Sequence, residues 1–312
     1  MTCDGETHPQ PSPVKQSSIR TPSFAKINWS LHILGKRPDG YHEIRTTLQT
    51  ISLHDDLLFE RNDNGKISLS CDDPNIPTGQ ENLVARAAVS LQERYSIRGG
   101  VNIRLHKRIP IKAGLGGGSS NAAVSLLTLN QLWQIDASRA DLEIIAATLG
   151  ADVPFFLHGG SALATGTGTT ISALPDHVST HLIVIQPTAS IATAEAYKAL
   201  NSPALTSNNP IPILAGSLRA EGSSESSNWT LQNDFENVIF EMEPEIKRAK
   251  SALLEAGAQG ALLAGSGSSV FGIFVDRKTQ ERAVNEIQLE AGWRVFECVT
   301  VSRSEYERAL SL

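Results

Sequence analysis

The chain has 312 residues, enough for two domains with separate cores. Its 40% hydrophobic and 19% charged residues are those of a soluble globular protein, and a formal net charge of −6 argues against nucleic acid as a partner. No apolar run is long enough to cross a bilayer, which argues against a membrane protein.

Residues 1–18 are polar, contain prolines and carry Asp4 and Glu6. They lack the apolar core of a secretory signal, so a disordered tail is expected. Cys3, Cys71 and Cys298 are odd in number and far apart, with neither metal spacing nor a disulfide framework, which fits a cytoplasmic protein. Residues 19–34 predict a strand, because Ile27, Trp29, Leu31 and Ile33 alternate with Asn28, Ser30 and His32. Arg37, Pro38, Asp39 and Gly40 signal a turn. Short strands are expected at 56–60 and 67–70 around the turn residues Asn62 to Gly65, then a helix over 83–94 and a strand over 101–105.

A glycine-rich loop follows, with a helix ending near Trp133. Ser138 predicts the N-cap of a helix reaching Leu149, with Gly150 as its left-handed C-terminal residue. Strands are expected at 161–165, 169–174 and 181–186. Residues 201–228, rich in Ser, Asn, Pro and Gly, read as a loop or partly mobile insertion. A helix over 244–256 leads through Gly257 to a strand at 260–263, a second glycine loop from Gly265 to Ser269, and a strand at 270–275. A helix near 279–290 and a strand near 294–301 close the pattern. Strands and helices are mixed rather than strictly alternating, which predicts an α+β fold over a doubly wound sheet. A boundary near residue 172 gives domains of 19–172 and 173–312.

The richest segment is Pro110-Ile-Lys-Ala-Gly-Leu-Gly-Gly-Gly-Ser-Ser-Asn-Ala-Ala123. Glycines let the backbone approach a ligand closely, and the helix that starts here directs unpaired N–H groups and a partial positive charge into the loop. This is an anion cradle, and the usual anion is phosphate. A Walker loop would end in Gly-Lys-Ser/Thr, whereas these glycines run into Ser119, Ser120 and Asn121. A dinucleotide fingerprint would place an acid near Asp136, but Ser119 stands at its third glycine and a polar, proline-ended segment precedes it. A flexible linker is excluded by Ala122, Ala123, Leu126, Leu127, Leu129 and Leu132, which continue as a buried helix.

Three further segments have two readings each. Asp152, just past a predicted helix end and before an apolar run, is either a turn cap or a general base tuned by partial burial. Lys26, in an alternating strand, is either a solvated edge residue or part of a site. Tyr41 and His42, in a turn, are either packing residues or a stacking face and a hydrogen-bonding ring.

The loop, with its Pro-x-x-x-Gly-Leu-Gly followed by Ser-Ser and Ala-Ala, resembles the phosphate loop of the GHMP kinases. Gly150-Ala-Asp-Val-Pro-Phe155 and the Asp39-Gly-Tyr-His42 that follows Ala25-Lys-Ile-Asn28 resemble the diphosphocytidyl-methylerythritol branch of that superfamily. The resemblance runs from Ile19 to Val301 and leaves out the tail and 201–228. It implies a two-domain α+β fold with the active site in the cleft between the domains, and ATP and Mg2+ as cofactors. It implies Asp152 as the catalytic base, paired with Lys26. Pro110, Lys112, Ala113, Gly114, Leu115, Gly116, Gly117, Gly118, Ser119 and Ser120 would bind the nucleotide phosphates, with Ser120 a candidate for the metal and its other ligands unassigned. Asn82 and Lys107 would frame the adenine.

The same resemblance places the acceptor, a small diphosphocytidyl sugar alcohol, against Asn28, Tyr41, His42, Thr193, Tyr197, Gly265, Ser266 and Gly267. Tyr41 and Tyr197 would sandwich the cytosine that His42 contacts. A monomer or homodimer is expected. Another GHMP kinase, acting on homoserine or mevalonate, and a non-catalytic member of the superfamily are the rivals. The Asp39–His42 segment argues against the first, and the presence of the aspartate, the lysine and the loop glycines argues against the second.

Overall fold

A computed structural model describes residues 17–176, 179–200 and 231–311. All but the end of the expected tail, and the whole 201–228 insertion, lie outside the described residues. The chain opens with β1 (Ser18–Lys36), β2 (His42–Asn62), β3 (Ile67–Cys71), α1 (Leu83–Tyr95) and β4 (Gly100–His106). Next come α2 (Gly117–Leu132), α3 (Arg139–Leu149), α4 (Val153–Phe156), β5 (Ser161–Gly166) and β6 (Thr170–Ala173). The remainder holds β7 (His181–Gln186), α5 (Thr193–Ala199), β8 (Gln232–Asn233), α6 (Glu236–Met242) and α7 (Pro244–Glu255). It ends in β9 (Gly260–Leu263), β10 (Val270–Phe274), α8 (Arg277–Glu286), β11 (Arg294–Val299) and α9 (Arg303–Ala309).

Two sheets organise these elements. The first runs β3-β4-β2-β1-β8, with β5 and β6 added beside the first half of β2. The second is the antiparallel order β11-β7-β10-β9. The sheet therefore changes between Ala173 and His181. The chain then re-enters the first body twice. β8 pairs with β1, and Tyr306 of α9 is fully buried in the first core, its hydroxyl donating to Phe156 O at 2.5 Å.

Three apolar clusters hold the architecture. In the first, α2 lies on β1 and β2, with α1 and α3 packed against it. Residues 120–129 of α2 are buried without interruption, which is why the helix is nearly apolar all round. The second cluster packs α5, α6, α7 and α8 on the second sheet through Ile246, Ala249, Leu253, Ile183 and Val270. The third joins the two halves. Ile27, Trp29 and Ile51 of the first sheet meet Val184, Phe271 and Ile273 of the second, with the Trp29 and Phe271 rings edge to face at 5.7 Å.

Several expectations are corrected. The strand expected at 56–60 is the end of a 21-residue strand, β2. Thr46, Thr47, Gln49 and Thr50 are buried polar residues there, so the apolar alternation that marks a strand is missing. Gly150 closes α3 in an extended conformation (φ 172°, ψ 157°), not a left-handed one, because the chain turns directly into α4. The helix expected near 279–290 spans Arg277–Glu286, since Asp276 caps it by accepting from Thr279 N at 2.8 Å.

Candidate active site

A cleft of about 600 Å³ lies where β1, the glycine-rich loop, α4, α5 and the second glycine loop converge. Its floor is the loop entering α2. Lys112, Gly114 and Gly116 have φ values of 52°, 75° and 70°, and a Cβ on Gly114 would lie 1.8 Å from Ala264 O. A Cβ on Gly116 would lie 2.9 Å from the Phe156 ring. The glycines are thus required by the close approach of two chain segments. α2 has no side-chain cap, and Ser120 N donating to Gly116 O at 2.9 Å is the bond that begins its ladder. The N–H groups of Gly117, Gly118 and Ser119 precede that ladder and are left for an anion.

Lys26, buried on β1, donates to Asn28 Oδ1 at 2.9 Å and lies 3.6 Å from Asp152 Oδ2. Asn28 in turn donates to Thr46 Oγ1 at 2.7 Å, and Thr46 donates to Ser30 O at 2.6 Å, so the ammonium is held by a relay anchored in the sheet. Asp152 stands at the N-cap of α4, whose Pro154 sets the first turn, yet its carboxylate makes no capping bond. It is 39% exposed and faces the cleft. It is therefore positioned by the helix start while remaining available to a ligand.

On the opposite wall stands Tyr197, and the His42 ring, off the cleft lining itself, stacks on it with centroids 4.8 Å apart and planes 26° from parallel. Tyr197 also meets Phe235 edge to face at 4.9 Å. Burial, with the nearby Asp152 charge, pushes the Tyr197 hydroxyl up to about 12. Burial, with Lys36 nearby, lowers the His42 imidazole below its ordinary value. Thr193 and Ser266 share a hydrogen bond of 3.0 Å, joining α5 to the second glycine loop. Gly265 faces Lys26 and the first loop: a Cβ there would lie 3.0 Å from Gly114 O and 3.1 Å from Lys26 Nζ.

The cleft thus brings together Lys26, Asn28, Asn82, Lys107, Pro110, Lys112, Ala113, Leu115, the loop glycines, Ser119, Asp152, Thr193, Tyr197, Gly265 and Ser266. Four expected site residues, Ser120, Tyr41, His42 and Gly267, are not among those that line it, His42 because its ring is stacked on Tyr197, while Asn82 and Lys107 do line it with their polar ends turned to the protein. Ser120 is fully buried behind the loop, with its hydroxyl bonded to Ser23 Oγ at 2.7 Å, because it lies on the inner face of α2. Asn82 borders the cleft, but its side chain caps α1, accepting from Val84 N at 2.9 Å and donating to Pro77 O at 2.7 Å.

Lys107 borders it too, but its ammonium turns inward to Asp55 (2.8 and 3.1 Å) and to Ile109 O. Tyr41 is 67% exposed and off the cleft wall, since bonds of Arg37 N to its carbonyl and of its N–H to Asp39 fix the turn with the ring outward. Gly267 donates to Ala264 O, and the place of its missing side chain is toward Leu263 and Ile239, away from the cleft.

Sequence reasoning missed Asp55, Thr46, Phe235 and Asn121. Asp55 is fully buried and accepts from Lys107 Nζ, Arg108 N (2.7 Å) and Ile109 N (2.8 Å). It therefore folds the segment that delivers Pro110 to the loop. Asn121 lies within the loop segment, but its amide signals nothing until the helix face it occupies is known.

Comparison with known proteins identifies the family. The pattern of the GHMP kinases N terminal domain matches residues 82–160, and that of the GHMP kinases C terminal matches 213–291. A 4-diphosphocytidyl-2-C-methyl-D-erythritol kinase of Pelotomaculum thermopropionicum is 43% identical over 252 residues, covering 81% of this chain and 88% of that protein. The kinase of that name from Syntrophotalea carbinolica is 39% identical, covering 87% and 95%. A crystal structure of 4-(cytidine 5'-diphospho)-2C-methyl-D-erythritol kinase superposes with a TM-score of 0.75 at 35% identity, covering 90% of this chain and 99% of that one. Homoserine kinase from Cytophaga hutchinsonii, at 20% identity and a TM-score of 0.70, shares the fold. The chain belongs to the 4-diphosphocytidyl-2-C-methyl-D-erythritol kinase family, within the GHMP kinases.

Proposed function

We propose that this chain transfers the γ-phosphoryl group of ATP to the 2-hydroxyl of 4-diphosphocytidyl-2-C-methyl-D-erythritol, giving the 2-phosphate and ADP, a step of non-mevalonate isoprenoid precursor synthesis. The observation that carries this reading is the Lys26–Asp152 pair, 3.6 Å apart in the same cleft as the unpaired N–H groups at the head of α2. Asp152 accepts the proton of the acceptor hydroxyl as its oxygen bonds to phosphorus and the bond to ADP breaks. Lys26, held by Asn28, neutralises charge gathering on the phosphoryl oxygens. The N–H groups of Gly117, Gly118 and Ser119 hold the phosphates, and the apolar wall of Leu31, Ile44, Phe235 and Tyr197 seats the cytidyl half.

Magnesium fits these residues as an ion held mainly by phosphate and water. Asp152 is the carboxylate among the described residues that line the cleft, and no cluster of three or more His, Cys, Asp or Glu that could hold a metal exists among the described residues. When bound, the ion supplies charge neutralisation to the phosphates. The test is ADP formation by purified protein with magnesium and ATP, comparing the diphosphocytidyl compound, homoserine, mevalonate and no acceptor. Turnover with the diphosphocytidyl compound alone supports the reading. Turnover with another acceptor keeps the kinase and overturns the roles of His42 and Tyr197.

A further inference from the structure

Asn233 of β8 is buried and is not among the residues that line the cleft. Both of its amide hydrogens are nonetheless committed next to it. Nδ2 donates to Leu263 O at 2.9 Å and to Gly265 O at 2.7 Å, and Oδ1 accepts from Phe235 N at 3.0 Å. The backbone around it is held on the first sheet, where Asn233 pairs with Leu31 of β1 and Asp234 N donates to Leu31 O at 3.0 Å. A single side chain thus joins the strand that carries Lys26 to the second glycine loop and to the aromatic wall.

The bond to Gly265 holds what the loop itself leaves loose. Gly267 N donates to Ala264 O at 2.9 Å, closing a four-residue turn. Its first central residue, Gly265, has φ 57°, and the second, Ser266, is not left-handed, which makes the turn type II′. The turn's own hydrogen bond joins its outer residues and does not hold the central Gly265–Ser266 peptide. Asn233 Nδ2 holds it by the carbonyl. That peptide places Ser266, whose hydroxyl shares the 3.0 Å bond with Thr193 at the start of α5.

The bond to Phe235 N acts on the same helix from the other side. It fixes the backbone of the residue whose ring meets Tyr197 edge to face. Tyr197 lies one helical turn beyond Thr193 on α5. It is therefore located twice, through Thr193 and through its own ring, and both supports lead back to Asn233.

We propose that Asn233 is a positioning residue for the acceptor, setting α5 and the Tyr197 ring relative to Lys26 without touching a ligand. The proposal rests on the kinase reading above and adds a residue outside the cleft on which acceptor binding depends. The test compares Asn233→Ala and Asn233→Asp with the native full chain, with magnesium. It reads the KM of the diphosphocytidyl acceptor at saturating ATP, beside ADP affinity by calorimetry. The aspartate keeps the shape and the acceptor for Phe235 N but, ionised, donates nothing to Gly265 or Leu263. Both variants should raise the acceptor KM roughly tenfold, with ADP affinity within about twofold. In a Thr193→Val background, where the link to Ser266 is already cut, Asn233→Asp should raise the acceptor KM by less than about threefold.

An unchanged acceptor KM in a variant that binds ADP would overturn the proposal. So would equal weakening of acceptor and ADP, the full tenfold loss in the Thr193→Val background, or the failure of both variants to fold, since each would leave Asn233 a structural residue only. Calorimetry of the acceptor reads the same effect without turnover. An acceptor that binds the native protein about tenfold more tightly than Asn233→Asp, with no phosphoryl transfer by either, would sink the kinase reading and leave the role of Asn233 standing.

Discussion

Gly114 and Ala264 lie so close that a Cβ on Gly114 would sit 1.8 Å from the Ala264 carbonyl oxygen. They belong to different glycine loops, separated by nearly half of the chain, and Ser269 N donating to Ala113 O at 3.2 Å ties the same loops together. The phosphate loop is thus shaped by the second body as well as by its own glycines.

Gly114→Ala should therefore cost far more than a left-handed alanine alone. The strain of φ 75° amounts to roughly 1–2 kcal/mol, and the clash must in addition push the loops apart. A displacement near 1 Å at the phosphates should lower kcat/KM for ATP on the order of a hundredfold. Steady-state kinetics with varied ATP, beside a thermal unfolding midpoint, measures both effects; unchanged kinetics would mean that the loops are not coupled.

Asp55 and Lys107 form a buried pair that also anchors the backbone of Arg108 and Ile109. Replacing one partner leaves the other charge unpaired, so Asp55→Asn should lose roughly 3–5 kcal/mol in urea unfolding. The double variant Asp55→Asn/Lys107→Met should recover part of that loss. A double variant as unstable as the sum of the singles would show that the ion pair is not the source of the cost.

The stack of His42 on Tyr197 predicts a selective effect on the acceptor. His42→Ala should raise the acceptor KM roughly tenfold, with ADP affinity by calorimetry unchanged. Tyr197→Phe keeps the stacking ring and should leave the acceptor KM within about twofold. Equal weakening of both ligands by His42→Ala would make the stack a structural contact only.

Tyr197 also gives a pH signature. Its hydroxyl rises from an ordinary 10.0 to about 12 in the folded protein, because burial and Asp152 disfavour the phenolate. The folded state then binds the proton more tightly than the unfolded state. Its stabilisation is complete below pH 10 and is lost as pH rises from about 10 through about 12. By pH 11 the native protein should have lost about 1 kcal/mol from this group that Tyr197→Phe does not lose. Urea unfolding at pH 9 and 11 gives the comparison, and parallel slopes for the two proteins would contradict it.

The phosphate loop was legible because its glycines run straight into an apolar helix, and both signals are local. Lys26 and Asp152 became legible as a pair through resemblance alone, since 126 positions separate them and each has a bland reading as an edge lysine or a turn cap. β2 was half hidden because Thr46, Thr47, Gln49 and Thr50 are buried by the relay to Asn28 and by contacts with the returning chain at Val301. Asp55 left no trace in the sequence because its partners lie more than fifty residues away. The inward turn of Ser120 and the outward turn of Tyr41 depend on which face of a helix or turn meets the core, and motif spacing does not carry that information.

The central claim is that Asp152, beside Lys26 at the head of the phosphate loop, takes the proton of the acceptor hydroxyl. The most direct measurement is the turnover of Asp152→Asn with ATP, magnesium and the diphosphocytidyl acceptor, alongside ADP affinity by calorimetry. The account predicts a fall in kcat on the order of 10²- to 10⁴-fold with ADP affinity preserved. A variant that turns over at near the native rate, while binding ADP as the native protein does, would contradict it.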